Sequence, residues 1–156
     1  MIHLRRPAIA AAALALLAAP LSAEVFEPKK AQELRESHMK LMGAHLGVLG
    51  TMAKGEMEYD ANVASAAAEA LAGLAQGTNG NYWVEGSSTE DLEDSRALPE
   101  LWQDMEDVGQ KAAALRDATQ AMQEAAGTDL AALQGAMKSV GDACGDCHKA
   151  YRKPEE

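Results

Sequence analysis

The fold follows from the C-terminal sequence DLAALQGAMKSVGDACGDCHKAYR, which runs from Asp129 to Arg152. Its apolar residues recur at intervals of three and four, the spacing that places side chains on one face of an α-helix. Two cysteines fall on this stripe one helical turn apart, so both are expected to face the core. The members of the stripe are Leu130, Leu133, Met137, Val140, Cys144, Cys147 and Tyr151.

The only two cysteines of the chain occur in the motif Cys144-Gly-Asp-Cys147-His148. This is the spacing of covalent c-type haem attachment, in which two thiols bond to the porphyrin and the adjoining histidine binds the iron. A structural zinc site would need more ligands, a thioredoxin-like pair would follow a strand, and a disulfide between these positions would stabilise little. We therefore predict one haem c per chain, attached through Cys144 and Cys147, with redox or metal use of the pair as the alternatives.

The N-terminus has a basic start followed by an apolar run from Ala8 to Ala19 and the small residues Ser22 and Ala23. This pattern predicts a cleaved signal peptide over residues 1–23 and one domain over residues 24–156. The run is short and rich in alanine, so no stable membrane insertion is expected after cleavage, and a retained anchor is the alternative. Export to the periplasm also suits the motif, because c-type haem is attached outside the cytoplasm.

The composition is acidic and poor in aromatic residues. The 24 Asp and Glu outnumber the 14 Lys and Arg, which gives a formal net charge of −10. Residues 1–23 contain Arg5 and Arg6 and no acidic residue, so their removal would change the charge to −12. This charge excludes a nucleic-acid-binding role. With one Phe, three Tyr and two Trp, the core is expected to consist of Ala, Leu and Met around a flat apolar cofactor.

Two amphipathic helices are predicted in the first half of the chain. The first runs from Pro28 to Ala53. The second begins after Asp60, a good N-cap residue, and ends at Gly77. Its face is mostly alanine, which favours either close packing within the chain or a dimer seam. The residues expected to face inward are Leu34, His38, Met39, Leu41, Met42, His45, Leu46, Val48, Leu49 and Met52 in the first helix and Val63, Ala67, Ala70, Leu71 and Leu74 in the second.

A long irregular loop and a third helix follow. Residues 77–97 are rich in Gly, Asn, Ser and acidic residues, but Tyr82 and Trp83 indicate that part of the loop packs against an apolar surface such as the haem. A solvated acidic linker is the alternative. The third helix is predicted as one segment from Pro99 to Gly127. Its expected inward residues are Leu98, Leu101, Met105, Val108, Ala112, Leu115, Thr119, Met122 and Ala126.

Together the helices predict an all-α fold, an antiparallel up-down-up-down four-helix bundle with a covalently attached haem. The order of segments resembles the cytochrome c′ family of bacterial electron-transfer haem proteins over essentially the whole mature chain. The resemblance implies that His148 is the proximal iron ligand and that the chain forms a homodimer, for which the first two helices are the expected seam. The matching segments are Met39-Lys-Leu-Met42, Lys54-Gly-Glu56, Tyr59-Asp60, Arg96-Ala-Leu-Pro-Glu-Leu-Trp102 and Cys144-Gly-Asp-Cys-His-Lys-Ala-Tyr-Arg152.

Residue 39 separates two functions within this resemblance. High-spin members of the family carry an apolar residue, commonly leucine, at the matching position, whereas a low-spin branch has a ligating methionine there. Met39 therefore predicts His/Met ligation and one-electron transfer to redox partner proteins. The alternative is a five-coordinate iron that binds nitric oxide or carbon monoxide. Ordinary core packing of Met39 and ligation by Met42, His38 or His45 are the competing interpretations.

Charged residues complete the predicted site. By the resemblance, Arg35 and Glu36 contact the haem, and Arg96 is placed to pair with a propionate, although solvated helix-end charges are the alternative. We predict no enzymatic activity, because no substrate pocket with an acid, a base or a nucleophile is evident. A redox partner is expected to dock on positive charge near the haem, which is contributed by Lys138, Lys149, Arg152 and Lys153.

Overall fold

The computed structural model describes residues 25–77 and 80–154, so the predicted signal peptide lies outside the described residues. The helices are α1 (Pro28–Ala53), α2 (Ala61–Gln76), α3 (Glu100–Gln103), α4 (Met105–Ala126) and α5 (Leu130–Tyr151), with a 3-10 turn at Gly80–Tyr82. Helix α1 contacts α2 and α5, and α4 contacts the same two helices. This ring of four long helices confirms the predicted four-helix bundle. Within the described ranges, every helix is too short or too polar to serve as a membrane span.

Aspartate side chains begin three of the four long helices. Asp60 accepts hydrogen bonds from the main-chain N–H groups of Asn62 and Val63 at the start of α2. Asp104 accepts one from Asp107 at the start of α4, and Asp129 caps α5 in the same way. Each cap satisfies main-chain donors that a helix leaves unpaired in its first turn. The observed bounds of α1, α2 and α5 confirm those predicted for the first, second and fourth helices.

The third predicted helix is wrong as a single segment. The chain breaks at Asp104 (φ −137°, ψ 62°), which separates the short α3 from α4. The Asp104 side chain caps the new helix, and this competes with continuation of the old one. Leu101, before the break, is buried as predicted. Met105, after the break, was also predicted to face inward but is 42% exposed.

Two other residues predicted to face inward are also at the surface. Leu41 on α1 is 53% exposed and Val63 on α2 is 46% exposed. Each directly precedes a buried residue, Met42 and Ala64 respectively. Neighbours along an α-helix are rotated by about 100° from one another. The predicted stripes were therefore wider than the face that each helix buries.

The buried apolar residues form two clusters. The aromatic cluster consists of Leu101, Val108 and Tyr151, with Trp83, Trp102 and Cys147 packed against it. The main core cluster lies among the four long helices, and its composition confirms the predicted core of Ala, Leu and Met. Its buried members are Met42, Leu49, Met52, Ala64, Ala67, Ala68, Leu71, Ala75, Met122, Ala126, Leu133 and Val140.

The segment between α2 and α3 is irregular but packed, and residues 80–98 are called the cap loop below. Ser87, Ser88 and Ser95 within it are buried, and Trp83 joins the aromatic cluster, so part of the loop packs against an apolar surface as predicted. Its last residues pair with the end of α5. The Leu98 N–H donates to the Tyr151 carbonyl at 2.9 Å, and the chain continues as an antiparallel bridge between Ala97 and Arg152.

Candidate haem site

Cys144 and Cys147 lie one turn apart on α5, and both are half-buried. Cys144 packs against the main core cluster, whereas Cys147 packs against the aromatic cluster. Burial raises the pKa of both thiols. Among residues 25–77 and 80–154, no group of three or more His, Cys, Asp or Glu side chains is arranged to hold a metal ion. The one-turn spacing of the two cysteines on α5 matches that of covalent haem attachment.

His148 directly follows Cys147 and is exposed on α5, although neighbouring atoms desolvate it in part. This desolvation lowers the pKa of His148, and the positive charges of Arg152 and Arg96 lower it further. A neutral imidazole is the form that binds iron. The His148 carbonyl accepts a hydrogen bond from the Arg152 N–H at 3.0 Å, which closes the last turn of α5.

Met39 is half-buried on α1 and packs against the main core cluster, the same cluster that Cys144 contacts from α5. Met42, a competing ligand, is buried within that cluster. His38 points to a different neighbourhood, because its ring centre lies 5.8 Å from that of Tyr82 and its Nε2 is buried without a hydrogen-bond partner in the described part of the chain. The thioether of Met39 thus shares an interior cluster with the attachment cysteine Cys144, and the ring of His38 lies beside that of Tyr82.

The likeness to known proteins extends over most of the chain. A family model described as Cytochrome C′ matches residues 30–152. The chain belongs to the cytochrome c′ family.

Individual relatives of this cytochrome agree with the assignment. Cytochrome c-554 of Cereibacter sphaeroides is 47% identical over 123 residues, which are 79% of this chain and 80% of that protein. Cytochrome c′ of the same organism is 33% identical over 149 residues, which are 96% of this chain and 98% of that one. A solved structure of cytochrome c′ from Rhodobacter sphaeroides has a TM-score of 0.80 at 32% identity and covers 83% of this chain and 100% of its own. As a cytochrome of this family, the chain carries haem c, covalently bound through Cys144 and Cys147.

The three charged residues predicted to contact the haem, Arg35, Glu36 and Arg96, each have a hydrogen-bond partner within the protein. Arg35 is buried and donates hydrogen bonds to the cap loop. The Glu36 carboxylate accepts a hydrogen bond from Gln32 at 2.6 Å and lies 4.0 Å from the Lys40 ammonium. Arg96 donates to the carbonyl of Lys153 at 2.8 Å, next to the bridge that follows α5. Arg35 thus faces the cap loop. Arg96 holds Lys153, in the segment that follows α5 and His148.

Sequence reasoning missed a polar network beside Cys147. The Tyr151 hydroxyl donates to the Asp107 carboxylate at 2.7 Å, and the Lys111 ammonium lies 3.3 Å from the same carboxylate. This hydrogen bond is the largest cause that raises the pKa of Tyr151 to about 12 and lowers that of Asp107. The bond between Tyr151 and Asp107 depends on how α4 and α5 are aligned along their length. The periodicity of one helix gives no information about that alignment.

The predicted basic docking surface is weaker than the sequence indicated. Lys138 forms an ion pair with Asp142, and the Lys149 ammonium lies 3.9 Å from the Asp146 carboxylate. Two of the four basic side chains are therefore matched by carboxylates on the same helix. Their contribution to steering an acidic partner is reduced accordingly.

Proposed function

We propose that this chain is a periplasmic c-type cytochrome that transfers one electron through its haem, with His148 and Met39 as the axial ligands. The observation that supports the proposal is the position of Met39, half-buried on α1 and packed against the core cluster that Cys144 contacts from α5. A thioether and an attachment cysteine then approach one interior region from two neighbouring helices.

Each of the proposed residues has a separate task. The haem, when bound, supplies the Fe(III)/Fe(II) couple. Cys144 and Cys147 would hold the macrocycle, and the imidazole of His148 and the sulfur of Met39 would be the two protein ligands of its iron. A neutral thioether stabilises ferrous iron and so raises the reduction potential. Both proposed ligands belong to long helices of one bundle, Met39 to α1 and His148 to α5.

The test is the optical spectrum of the purified holoprotein, oxidised and reduced, with and without carbon monoxide. We expect a sharp low-spin reduced spectrum, the weak far-red ferric band of a sulfur-ligated haem, and no change on adding carbon monoxide. Met39→Leu should abolish the ferric band, whereas the matched control Met42→Leu, in the same cluster, should keep it. Persistence of the band in Met39→Leu would exclude Met39 as the ligand.

A five-coordinate, gas-binding haem is the second candidate function. It is favoured by the surroundings of Met39, since Met42, Met52 and Met122 are core residues of the same cluster and methionine commonly fills cores. Among related proteins of known structure, a variant of cytochrome c′ from Alcaligenes xylosoxidans has been solved with nitric oxide. A broad high-spin spectrum that shifts with carbon monoxide in the wild-type protein would favour this function.

The periplasmic location depends on residues 1–23, which lie outside the described residues. If they are a cleaved signal peptide, the mature protein begins at Glu24. Periplasmic fractionation and N-terminal sequencing test both statements, and a protein that retains Met1 would contradict them. We also propose that the chain is an electron carrier rather than an enzyme, with redox proteins as its partners.

A homodimer through α1 and α2 is part of the proposal. Leu41 on α1 and Val63 on α2 are large apolar side chains at the surface, and a Cβ added to Gly43, Gly47 or Gly73 would meet no atom within 4 Å. A second copy of the chain would cover such a face. The Leu41→Glu variant should therefore sediment as a monomer, whereas Met105→Glu, at an exposed position on α4, should not change the assembly. A wild-type protein that is monomeric at high concentration would contradict the proposal.

A further inference from the structure

Arg35 is a buried arginine whose terminal nitrogens are all directed at the cap loop. Its side chain is 6% exposed. One terminal nitrogen donates to the Tyr82 carbonyl at 2.8 Å and the Ser87 hydroxyl at 3.2 Å. The other donates to the Ser87 carbonyl at 3.1 Å and the Ser95 hydroxyl at 3.4 Å. These bonds direct all four terminal N–H groups to the cap loop.

No carboxylate in the described ranges lies within ion-pair distance of this guanidinium. A buried charge is costly unless polar groups or a counter-ion replace the lost water. Here the main-chain carbonyls and serine hydroxyls of the cap loop perform that task. The conformation of the loop and the burial of Arg35 therefore depend on one another.

The contacts continue from Arg35 to the haem-bearing helix. The guanidinium carbon lies 5.0 Å from the centre of the Trp83 ring, in cation–π geometry. The Trp83 carbonyl accepts a hydrogen bond from the Trp102 indole N–H at 3.1 Å. Both tryptophans pack in the aromatic cluster with Cys147. An uninterrupted series of contacts thus joins α1 to the attachment site on α5 through the cap loop.

Arg35 also has a fixed relation to the proposed distal ligand. Arg35 and Met39 are four residues apart on α1, so they lie on the same face in successive turns. Direct packing between α1 and α5 is the least extensive of the four interfaces between neighbouring long helices. The cap loop is therefore an additional connection across the interface that separates Met39 from His148.

We propose that Arg35 is a positioning residue: by holding the cap loop against the aromatic cluster, it keeps α1 close to α5 and the Met39 sulfur within reach of the iron. The proposal rests on the proposed ligation by Met39. Loss of the Arg35 contacts would loosen the loop and let external ligands compete with the thioether. This role differs from a propionate contact, since it acts through the protein.

The test compares wild-type holoprotein with Arg35→Lys, which keeps the charge but loses the paired donors. Two readouts are measured well below the melting temperature: the fraction of ferrous haem that binds carbon monoxide at a fixed concentration, and the rate of limited proteolysis within residues 80–98. With the charge-assisted hydrogen bonds removed, carbon monoxide binding should become detectable where the wild type shows none, and cleavage should accelerate by about tenfold. The milder Ser95→Ala should shift both readouts in the same direction and serves if Arg35→Lys does not fold.

Gly55→Ala is the control, because it destabilises the protein through the left-handed backbone at that position and lies outside both clusters. It should lower the melting temperature while leaving carbon monoxide binding and loop cleavage as they are in the wild type. Unchanged readouts in both loop variants, or an equal increase in Gly55→Ala, would overturn the proposal. Faster cleavage with unchanged carbon monoxide binding would also overturn it, since the loop would then be uncoupled from the ligand. A wild-type haem that already binds carbon monoxide freely would instead refute the Met39 ligation, which separates the two failures.

Discussion

The main core cluster and the aromatic cluster are built by different kinds of contact. The main core cluster consists of alanine, leucine, methionine and valine on the four long helices and depends on complementary helix faces. The aromatic cluster joins the cap loop, α3, α4 and α5, and specific polar bonds support it, from Trp102 to Trp83 and from Tyr151 to Asp107. Since each cluster holds one attachment cysteine, the haem site is supported by apolar packing on one side and by specific polar bonds on the other.

The largest effect is expected in the main core cluster. Leu133 has no exposed surface, so Leu133→Ala should lower the free energy of unfolding by about 2–5 kcal/mol through lost burial and a cavity. Chemical denaturation of the holoprotein measures the change. Leu130→Ala, a half-buried leucine on the same helix, should cost clearly less. Equal losses in the two variants would show that the main core cluster does not contribute more than the helix surface.

A smaller effect is expected in the aromatic cluster. Trp102→Phe removes the donor to the Trp83 carbonyl, which should cost about 1–2 kcal/mol of unfolding free energy because that carbonyl loses its partner. Trp83→Phe is the matched variant, since it keeps the main-chain carbonyl and the bond from Trp102 while altering the ring beneath Arg35. Hydrogen exchange of the cap loop should accelerate in Trp102→Phe more than in Trp83→Phe. The reverse order would mean that ring contacts, rather than this hydrogen bond, order the loop.

Two glycines outside both clusters provide a reference for purely backbone effects. Gly55 has φ +75°, whereas Gly135 is helical, and a Cβ at either position would meet no atom within 4 Å. Gly55→Ala should therefore lower the free energy of unfolding by about 1 kcal/mol, and Gly135→Ala should raise it by up to about 1 kcal/mol. Neither should change the haem spectrum. Thermal unfolding checks the signs, and a stabilising Gly55→Ala would be inconsistent with the left-handed conformation.

The smallest expected effect is the stabilisation by the Tyr151–Asp107 hydrogen bond, which depends on pH. The hydrogen bond to Asp107 raises the pKa of Tyr151 to about 12, above about 10 for an unfolded tyrosine. The stabilisation by this hydrogen bond is therefore complete below about pH 10. It is lost as the pH rises towards about 12, because the Tyr151 hydroxyl then loses its proton in the folded protein. Tyr151→Phe should lower the melting temperature at pH 8, and the difference from wild type should shrink over that interval.

The same bond should also lose strength in acid. It lowers the pKa of Asp107, so its contribution is present above about pH 3.9, the unfolded value, and is lost as the pH falls through the lowered value. Tyr59→Phe is the control, because the Tyr59 hydroxyl donates to the main-chain carbonyl of Ala126, which does not titrate. A Tyr151→Phe difference that is constant in acid would contradict the role of Asp107.

The contrast between the clusters also explains what could be predicted from the sequence. Helix bounds and the main core cluster were predictable, because periodicity and caps such as Asp60 and Asp129 are local signals. The break at Asp104 was missed, since an aspartate inside an apolar stripe equally suits a helix surface or a cap. The contacts of Arg35 and Tyr151 join residues distant in sequence, and no local pattern specifies them. The attachment motif was predictable because its chemistry requires a fixed spacing.

The limited packing between α1 and α5 has an evolutionary consequence. Met39 packs against the main core cluster, while α1 meets few residues of α5 directly. Under the proposed ligation, one substitution at position 39 would change the chemistry at the iron and leave the attachment motif and the helix caps as they are. A scaffold of this kind would let a lineage exchange one haem function for another by a single residue change.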